Sequence, residues 1–146
     1  EPLSVCIHGQ SDCSSVESVF RKGRFKFPLL GESVFEGELL NGKRSGRGVQ
    51  VSAAGRYDGE FRDGEMHGHG CRQYCDGSSY KGEWRSGLKH GRGHLRLTNG
   101  DIYDGQFLDG RMHGHGHYIF ANGDEYEGDF GHGLMSGQGE FRFVRG

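Results

Sequence analysis

From residue 35 onward the chain alternates large aromatic and polar residues in short runs, and each run is broken by glycine at a fixed place. In Tyr80-Lys81-Gly82-Glu83-Trp84-Arg85, two rings and a glycine share one parity while charged residues hold the other. Successive side chains of extended backbone point to opposite faces, so this period of two predicts a strand with both rings on one face and a gap between them. After a turn around Ser86-Gly87-Leu88-Lys89, the positions Gly91, Gly93, Leu95 and Leu97 again keep period two, small residues first and bulky ones later. The unit reads as one β-hairpin with a single apolar face.

The same unit returns along the chain. Its anchor, an aromatic followed two residues later by glycine, occurs at Phe35, Tyr57, Tyr80, Tyr103 and Tyr126, spaced by 22 and then by 23 residues. Behind the last four anchors stand Phe61, Trp84, Phe107 and Phe130, then Gly64, Gly87, Gly110 and Gly133, then a Gly-x-Gly pair. Asp76-Gly77, Asn99-Gly100 and Asn122-Gly123 close the units, and Asp63-Gly64 and Asp109-Gly110 reverse the chain inside them, because such dipeptides tolerate positive φ. Gly23-Arg24-Phe25-Lys26-Phe27 copies half a unit. The organisation predicted is a non-repeat segment (residues 1–19) followed by an array (20–146), with a half repeat over 20–34 and full repeats starting at 35, 57, 80, 103 and 126. Five hairpins and the half unit give about eleven strands in an all-β, elongated, twisted, single-sheet antiparallel meander. The repeat at Phe35 departs from the pattern, with Leu39 for its second ring and Val49 and Val51 at polar positions, and a bulge or register change is expected there. The chain has no initiating Met, and its last repeat runs to Gly146 without a polar cap. It therefore reads as part of a longer protein whose array continues or pairs with another molecule.

Composition explains the glycines. The chain holds 29 Gly and only 2 Pro in 146 residues, with 32% hydrophobic and 12% aromatic residues, so its buried surface is carried mainly by rings in a thin structure. Gly59, Gly70, Gly82, Gly93, Gly105, Gly116, Gly128 and Gly139 lie mid-strand. There the absence of a Cβ lets neighbouring rings lie across the sheet, and these are the expected structural glycines.

The stretch Tyr80-Lys-Gly-Glu-Trp84-Arg-Ser-Gly87-Leu-Lys-His90-Gly91-Arg-Gly93, closed by Asn99-Gly100, resembles the membrane occupation and recognition nexus, or MORN, repeat. The resemblance covers roughly residues 20–146. It implies a twisted single-sheet meander and a role in cytoskeletal scaffolds, ciliary or flagellar complexes, membrane junctions, or beside a catalytic domain. The implied localisation is cytoplasmic and cytoskeletal, including the cilium or flagellum.

Chemistry at individual side chains is sparse. His67, His90 and His113 recur at the repeat period, two strands apart, and equivalent side chains would sit about 10 Å from one another. One metal cannot span that distance, since zinc–nitrogen bonds are about 2 Å. Hydrogen bonding to backbone or to a carboxylate of the same repeat is the expected role, with Glu60, Glu83, Gln106 and Asp129 as candidate partners. A cluster of His67, His69, Cys71 and Cys75 along one strand is a zinc candidate, and His113, His115 and His117 share a face on a later strand. No cofactor is expected. Cys71 and Cys75 read as reduced thiols, while a Cys6–Cys13 bridge stays open. No nucleophile elbow, phosphate loop or metalloprotease helix occurs, and a catalytic role within these residues is not expected.

Partners follow from the apolar face. Tyr57, Phe61, Tyr80, Trp84, Leu95, Leu97, Tyr103, Phe107, Tyr118, Phe120, Tyr126 and Phe130 form a stripe that no second layer in this sequence covers. A partner protein's helix laid in this aromatic groove, or a second copy of the array, is the expected occupant, and self-association through open strand edges goes with it. With 18 Lys and Arg interleaved among 20 Asp and Glu, the net charge of -2 disfavours nucleic acid and leaves an anionic or phosphoinositide-bearing membrane surface as the weaker alternative. Targeting of a larger enzyme is the other alternative.

Overall fold

The structure, a computed structural model, describes residues 4–8, 18–27 and 33–144. These residues form twelve strands in one antiparallel sheet, each strand hydrogen-bonded to the next in chain order. The strands are β1 (Ser4–His8), β2 (Ser18–Phe27), β3 (Ser33–Leu40), β4 (Lys43–Ser52), β5 (Gly55–Arg62), β6 (Glu65–Tyr74), β7 (Ser79–Arg85), β8 (Leu88–Arg96), β9 (Ile102–Leu108), β10 (Arg111–Ile119), β11 (Glu125–Gly131) and β12 (Leu134–Arg142). At about 4.8 Å between neighbouring strands the sheet extends about 50 Å across its strands. The all-β meander is as the repeat pattern predicts. The expected count of eleven is one short, because β1, in the segment without a repeat, pairs along β2 with Cys6 opposite Phe20. Cys13 and the side chain of Cys6 lie outside the described residues, and so does the bridge between them.

The turns separate into two kinds. Within hairpins, Asp63-Gly64 and Asp109-Gly110 have both residues at positive φ (51° and 85°, 49° and 86°), the backbone of the mirror-image turn whose twist matches the strands it joins. Asn41, Ser86 and His132 take the first of these positions in the other three hairpins, with φ of 52°, 49° and 52°. Between hairpins only the glycine is left-handed (Gly77 95°, Gly100 98°, Gly123 99°), and the preceding Asp or Asn side chain accepts a backbone N–H two residues on.

A register slip is built into every full hairpin, where the sequence suggests one only in the repeat at Phe35. In the third, Gly82 faces Gly93 but Glu83 faces His90, leaving Gly91 and Arg92 without cross-strand partners on β7. The same slip follows Gly37, Gly59 and Gly128, and a corresponding irregularity lies between Met112 and Gly116. The first glycine of each Gly-x-Gly pair makes it possible: Gly46, Gly68, Gly91, Gly114 and Gly137 all sit at φ between 57° and 66°. Because the slip spans two residues, inner and outer faces stay in phase across it.

The second glycine of each pair has a different task. Gly59 faces Gly70, Gly82 faces Gly93, Gly105 faces Gly116 and Gly128 faces Gly139, which makes a row of paired bare positions. The tyrosine ring beginning each hairpin lies over that pair: a methyl built on Gly93 would overlap the ring and hydroxyl of Tyr80, and one on Gly70, Gly116 or Gly139 would meet Tyr57, Tyr103 or Tyr126. Phe35 does the same over Gly37 and Gly48. This is the expected ring-over-glycine fit. Gly93→Ala should therefore destabilise the chain by about 3 kcal/mol through overpacking, whereas Gly87→Ala, where a methyl meets nothing within 4 Å, should cost only about 1 kcal/mol for its positive φ. Urea denaturation of the two variants measures the difference; equal losses would contradict the fit.

Candidate binding face

The inner face begins with the rings. Phe35, Tyr57, Phe61, Tyr80, Trp84, Tyr103, Phe107, Tyr126 and Phe130 are all 5% exposed or less, together with Leu39. They touch edge to face in an unbroken zigzag. Within repeats, Tyr57 meets Phe61 and Tyr80 meets Trp84, both at 5.0 Å between centroids. Between repeats, Phe35 meets Phe61, Tyr57 meets Trp84, Tyr80 meets Phe107 and Tyr103 meets Phe130 at 5.0, 5.5, 5.0 and 4.9 Å. Edge-to-face geometry sets the positive rim of one ring against the negative face of the next, adding about 1 kcal/mol per pair beyond burial.

Polar atoms on this seam serve the register slip. At each slip with a tyrosine beside it, the hydroxyl donates to a backbone carbonyl. Tyr57 donates its hydroxyl to Glu60 O (2.8 Å), Tyr80 to Glu83 O (2.9 Å), Tyr103 to Gln106 O (2.8 Å) and Tyr126 to Asp129 O (3.0 Å). The unpaired N–H groups find side chains: Arg92 N donates to Glu83 Oε2, His115 N to Gln106 Oε1 and Gln138 N to Asp129 Oδ2, at 3.1 to 3.2 Å. Glu83, Gln106 and Asp129 thus cap the slipped backbone and do not partner the recurring histidines suggested by sequence. Trp84 adds an indole bond to Gly70 O at 3.1 Å.

These rings are the floor of the inner face, not its accessible lining. Tyr57, Tyr80, Tyr103 and Tyr126 lie over glycine pairs and the rings between them pack edge to face, so the eight first-strand rings expected in the groove have almost no surface left. What stands above them comes from the second strands and the exits: Leu95, Leu97, Tyr118 and Phe120 are half-buried. Farther along, Phe141 is 47% and Phe143 71% exposed. Toward β4 the inner face changes character: Gln50 and Arg72 stand where Leu95, Tyr118 and Phe141 do farther along, and Arg44 and Lys89 stand where other repeats have Met66, Met112 and Met135. Arg44 donates to Gly64 O and Gln50 Oε1.

Two carboxylates at the exits were not singled out from sequence. Asp101, 8% exposed, accepts the Tyr118 hydroxyl (2.6 Å), Ala121 N (2.7 Å) and Asn99 Nδ2 (3.2 Å), and those bonds hold its carboxyl below the usual carboxylate range. Asp124 repeats the reach, accepting Val144 N at 2.9 Å. Each ties one exit turn to the next, and its only trace in the sequence is an acid directly after Asn-Gly.

The outer face is a mixed-charge surface. Histidines pair with acids across strands, His94 with Asp104 (3.6 Å), His115 with Glu127 (3.5 Å) and His117 with Glu125 (2.8 Å). Among the described residues no three His, Cys, Asp or Glu side chains converge closely enough for a metal. For His67, His69, Cys71 and Cys75 the reason is the extended backbone, which spaces same-face side chains about 7 Å apart along one strand. Cys71 and Cys75 are free, exposed thiols.

Fold and face together define a tandem β-hairpin repeat protein. The MORN repeat profile matches residues 35–55, 57–79, 80–102, 103–125 and 126–146, which places the chain in the MORN repeat family. No curated protein matches the chain.

The seam carries a consequence for alkaline pH. Burial pushes the Tyr103 hydroxyl up to about 12, and burial likewise raises Tyr57, Tyr80 and Tyr118 above the ordinary 10.0, the last helped by Asp101. The folded state therefore favours the neutral phenols. Their contribution to stability is complete below pH 10 and is lost as pH rises through the folded values. Phenolate absorbance should accordingly develop together with loss of the strand circular dichroism signal; these tyrosines ionising near 10 in a still-folded chain would contradict the packing described.

Proposed function

We propose that the chain is a non-catalytic scaffold that holds a segment of a partner protein, in helical form, along the inner face of the sheet. The supporting observation is the line of accessible apolar side chains, Leu95, Leu97, Tyr118, Phe120, Phe141 and Phe143, standing on a rigid floor with no second layer among the described residues. A flat apolar strip on a preorganised surface suits a helix that lays down its own apolar side, and ordering the strip in advance lowers the entropy lost on association. The family resemblance supports a cytoplasmic setting in a cytoskeletal or ciliary assembly. A double variant, Leu97→Glu with Phe120→Glu, should abolish capture of proteins that the parent chain retains from extracts, while its unfolding midpoint drops little because neither residue belongs to the ring zigzag. Retention of the same proteins by the variant would overturn the reading.

Self-association is the second reading. It is favoured by β12, an edge strand with Leu134, and Phe143 just past its end, each 71% exposed, since an unpaired strand with apolar side chains is a template for another strand. Light scattering should give twice the chain mass for the parent and a single mass for Phe143→Asp; one mass for both would refute it.

A further inference from the structure

The inner face is not uniform along its length, and the asymmetry concerns charge. Over β4 to β8 it presents Arg44, Arg72 and Lys89. Arg44 and Arg72 line one hollow of about 200 Å3, floored by Tyr57 and Phe61 and walled by Gln50 and Met66. Among the described residues none of these three cations has an ion pair. The ion pairs among the described residues lie on the outer face, joining Arg47 and Arg56 to Asp58, the histidines to their acids, and Arg142 to Glu125 and Glu127. Glu65, which also lines the hollow, pairs with neither arginine.

What the cations touch instead is aromatic. The Arg44 guanidinium lies 5.3 Å from the Phe27 centroid and 5.7 Å from that of Phe61, Arg72 lies 5.0 Å from Tyr74, and Lys89 lies 5.2 and 5.5 Å from Tyr74 and Tyr80. Stacking of this kind orients a cation without neutralising it. Arg72 Nη1 reaches only the Met66 sulfur, and its buried Nε has no hydrogen-bond partner. A planar guanidinium held by stacking with unused donors is prepared for a bidentate acceptor. From β8 to β12 the position of Arg72 is filled by Leu95, Tyr118 and Phe141, and that of Arg44 and Lys89 by Met112 and Met135; the inner carboxylates there, Asp101 and Asp124, are already occupied by hydrogen bonds within the chain.

Resting on the reading of the inner face as a protein-docking surface, we propose that it selects a segment in one orientation, with carboxylate side chains over Arg44 and Arg72 and bulky apolar side chains over Leu95, Tyr118 and Phe120. Charge complementarity fixes which end of the segment lies where, and the apolar strip supplies most of the attraction. Eight strand spacings separate β4 from β12, about 38 Å, which a helix of about 25 residues spans at its rise of 1.5 Å. An acidic protein segment suits the face better than a lipid surface, because Arg44 and Arg72 sit in a hollow beside rings and the strip next to them is apolar over several strands.

The test is selection from a displayed library of random peptides on the whole chain, with the enriched sequences read out. The expected result is an acidic cluster at one end and Leu, Phe or Trp toward the other, with Arg72→Gln and Lys89→Gln each weakening a selected peptide about tenfold at low salt. Neither substitution removes a backbone contact, and their unfolding midpoints check the fold; Arg44, which holds Gly64 O, is left in place. Enrichment of apolar peptides with no acidic preference would overturn this proposal and leave the protein-docking reading intact. No enrichment at all would overturn both. Sedimentation of the parent, but not of Arg72→Gln, with vesicles of phosphatidylcholine and phosphatidylserine would reassign the cations to a lipid surface and overturn it as well.

Discussion

Every level of this structure rests on an aromatic ring lying flat over two glycines that face each other across a strand pair. A single open sheet has no second layer to exclude water from its apolar side, so its rings must find cover within the sheet. Upright rings would leave edges and faces wet. Laid over Gly82 and Gly93, the ring of Tyr80 packs against backbone and meets Trp84 and Phe107 edge to face, and it ends 1% exposed in a structure one strand thick. The core of the protein is thus a line one ring deep.

The polar arrangement follows from the same constraint. A ring that reaches along the sheet to its glycine pair brings its hydroxyl to the slipped part of the ladder, where it donates to a backbone carbonyl. The fit therefore joins apolar burial and backbone satisfaction in one side chain, and phenylalanine at that position, as at Phe35, performs only the first. Raised phenol pKa values report the same enclosure. The result is a seam that leaves the second-strand positions free to vary between arginine, glutamine, leucine and tyrosine without disturbing the floor, and it is in those positions that binding preference can reside.

Much of this was legible in the residues. Alternation in Tyr80-Lys81-Gly82-Glu83-Trp84 assigns strand and face together, and a period of about 23 residues assigns the meander. The ring-over-glycine fit follows because a glycine in mid-strand needs a reason. Other features were not legible. The slip in every hairpin is hidden, because a shift of two residues leaves the alternation unchanged, and the only sign is the first glycine of each Gly-x-Gly pair. Whether the ring stripe forms a lining or a floor depends on ring tilt, which spacing does not encode. β1 escapes repeat analysis, since its pairing with β2 uses backbone and needs no motif. The exit carboxylates Asp101 and Asp124 resemble ordinary turn residues until the next turn is placed beside them.

The even-numbered slip bears on how such a chain tolerates change in length. Inside a strand, adding or losing one residue would turn every later side chain through to the opposite surface, exchanging rings with charges. Two at a time preserves the assignment, and each hairpin already contains one such insertion. The exits obey no such rule: the first full repeat, one residue shorter than the others, carries its difference around Ala53-Ala54 without altering which surface its neighbours face. Indels among homologous arrays should thus be quantised within strands and free between hairpins, a parity law written into backbone geometry.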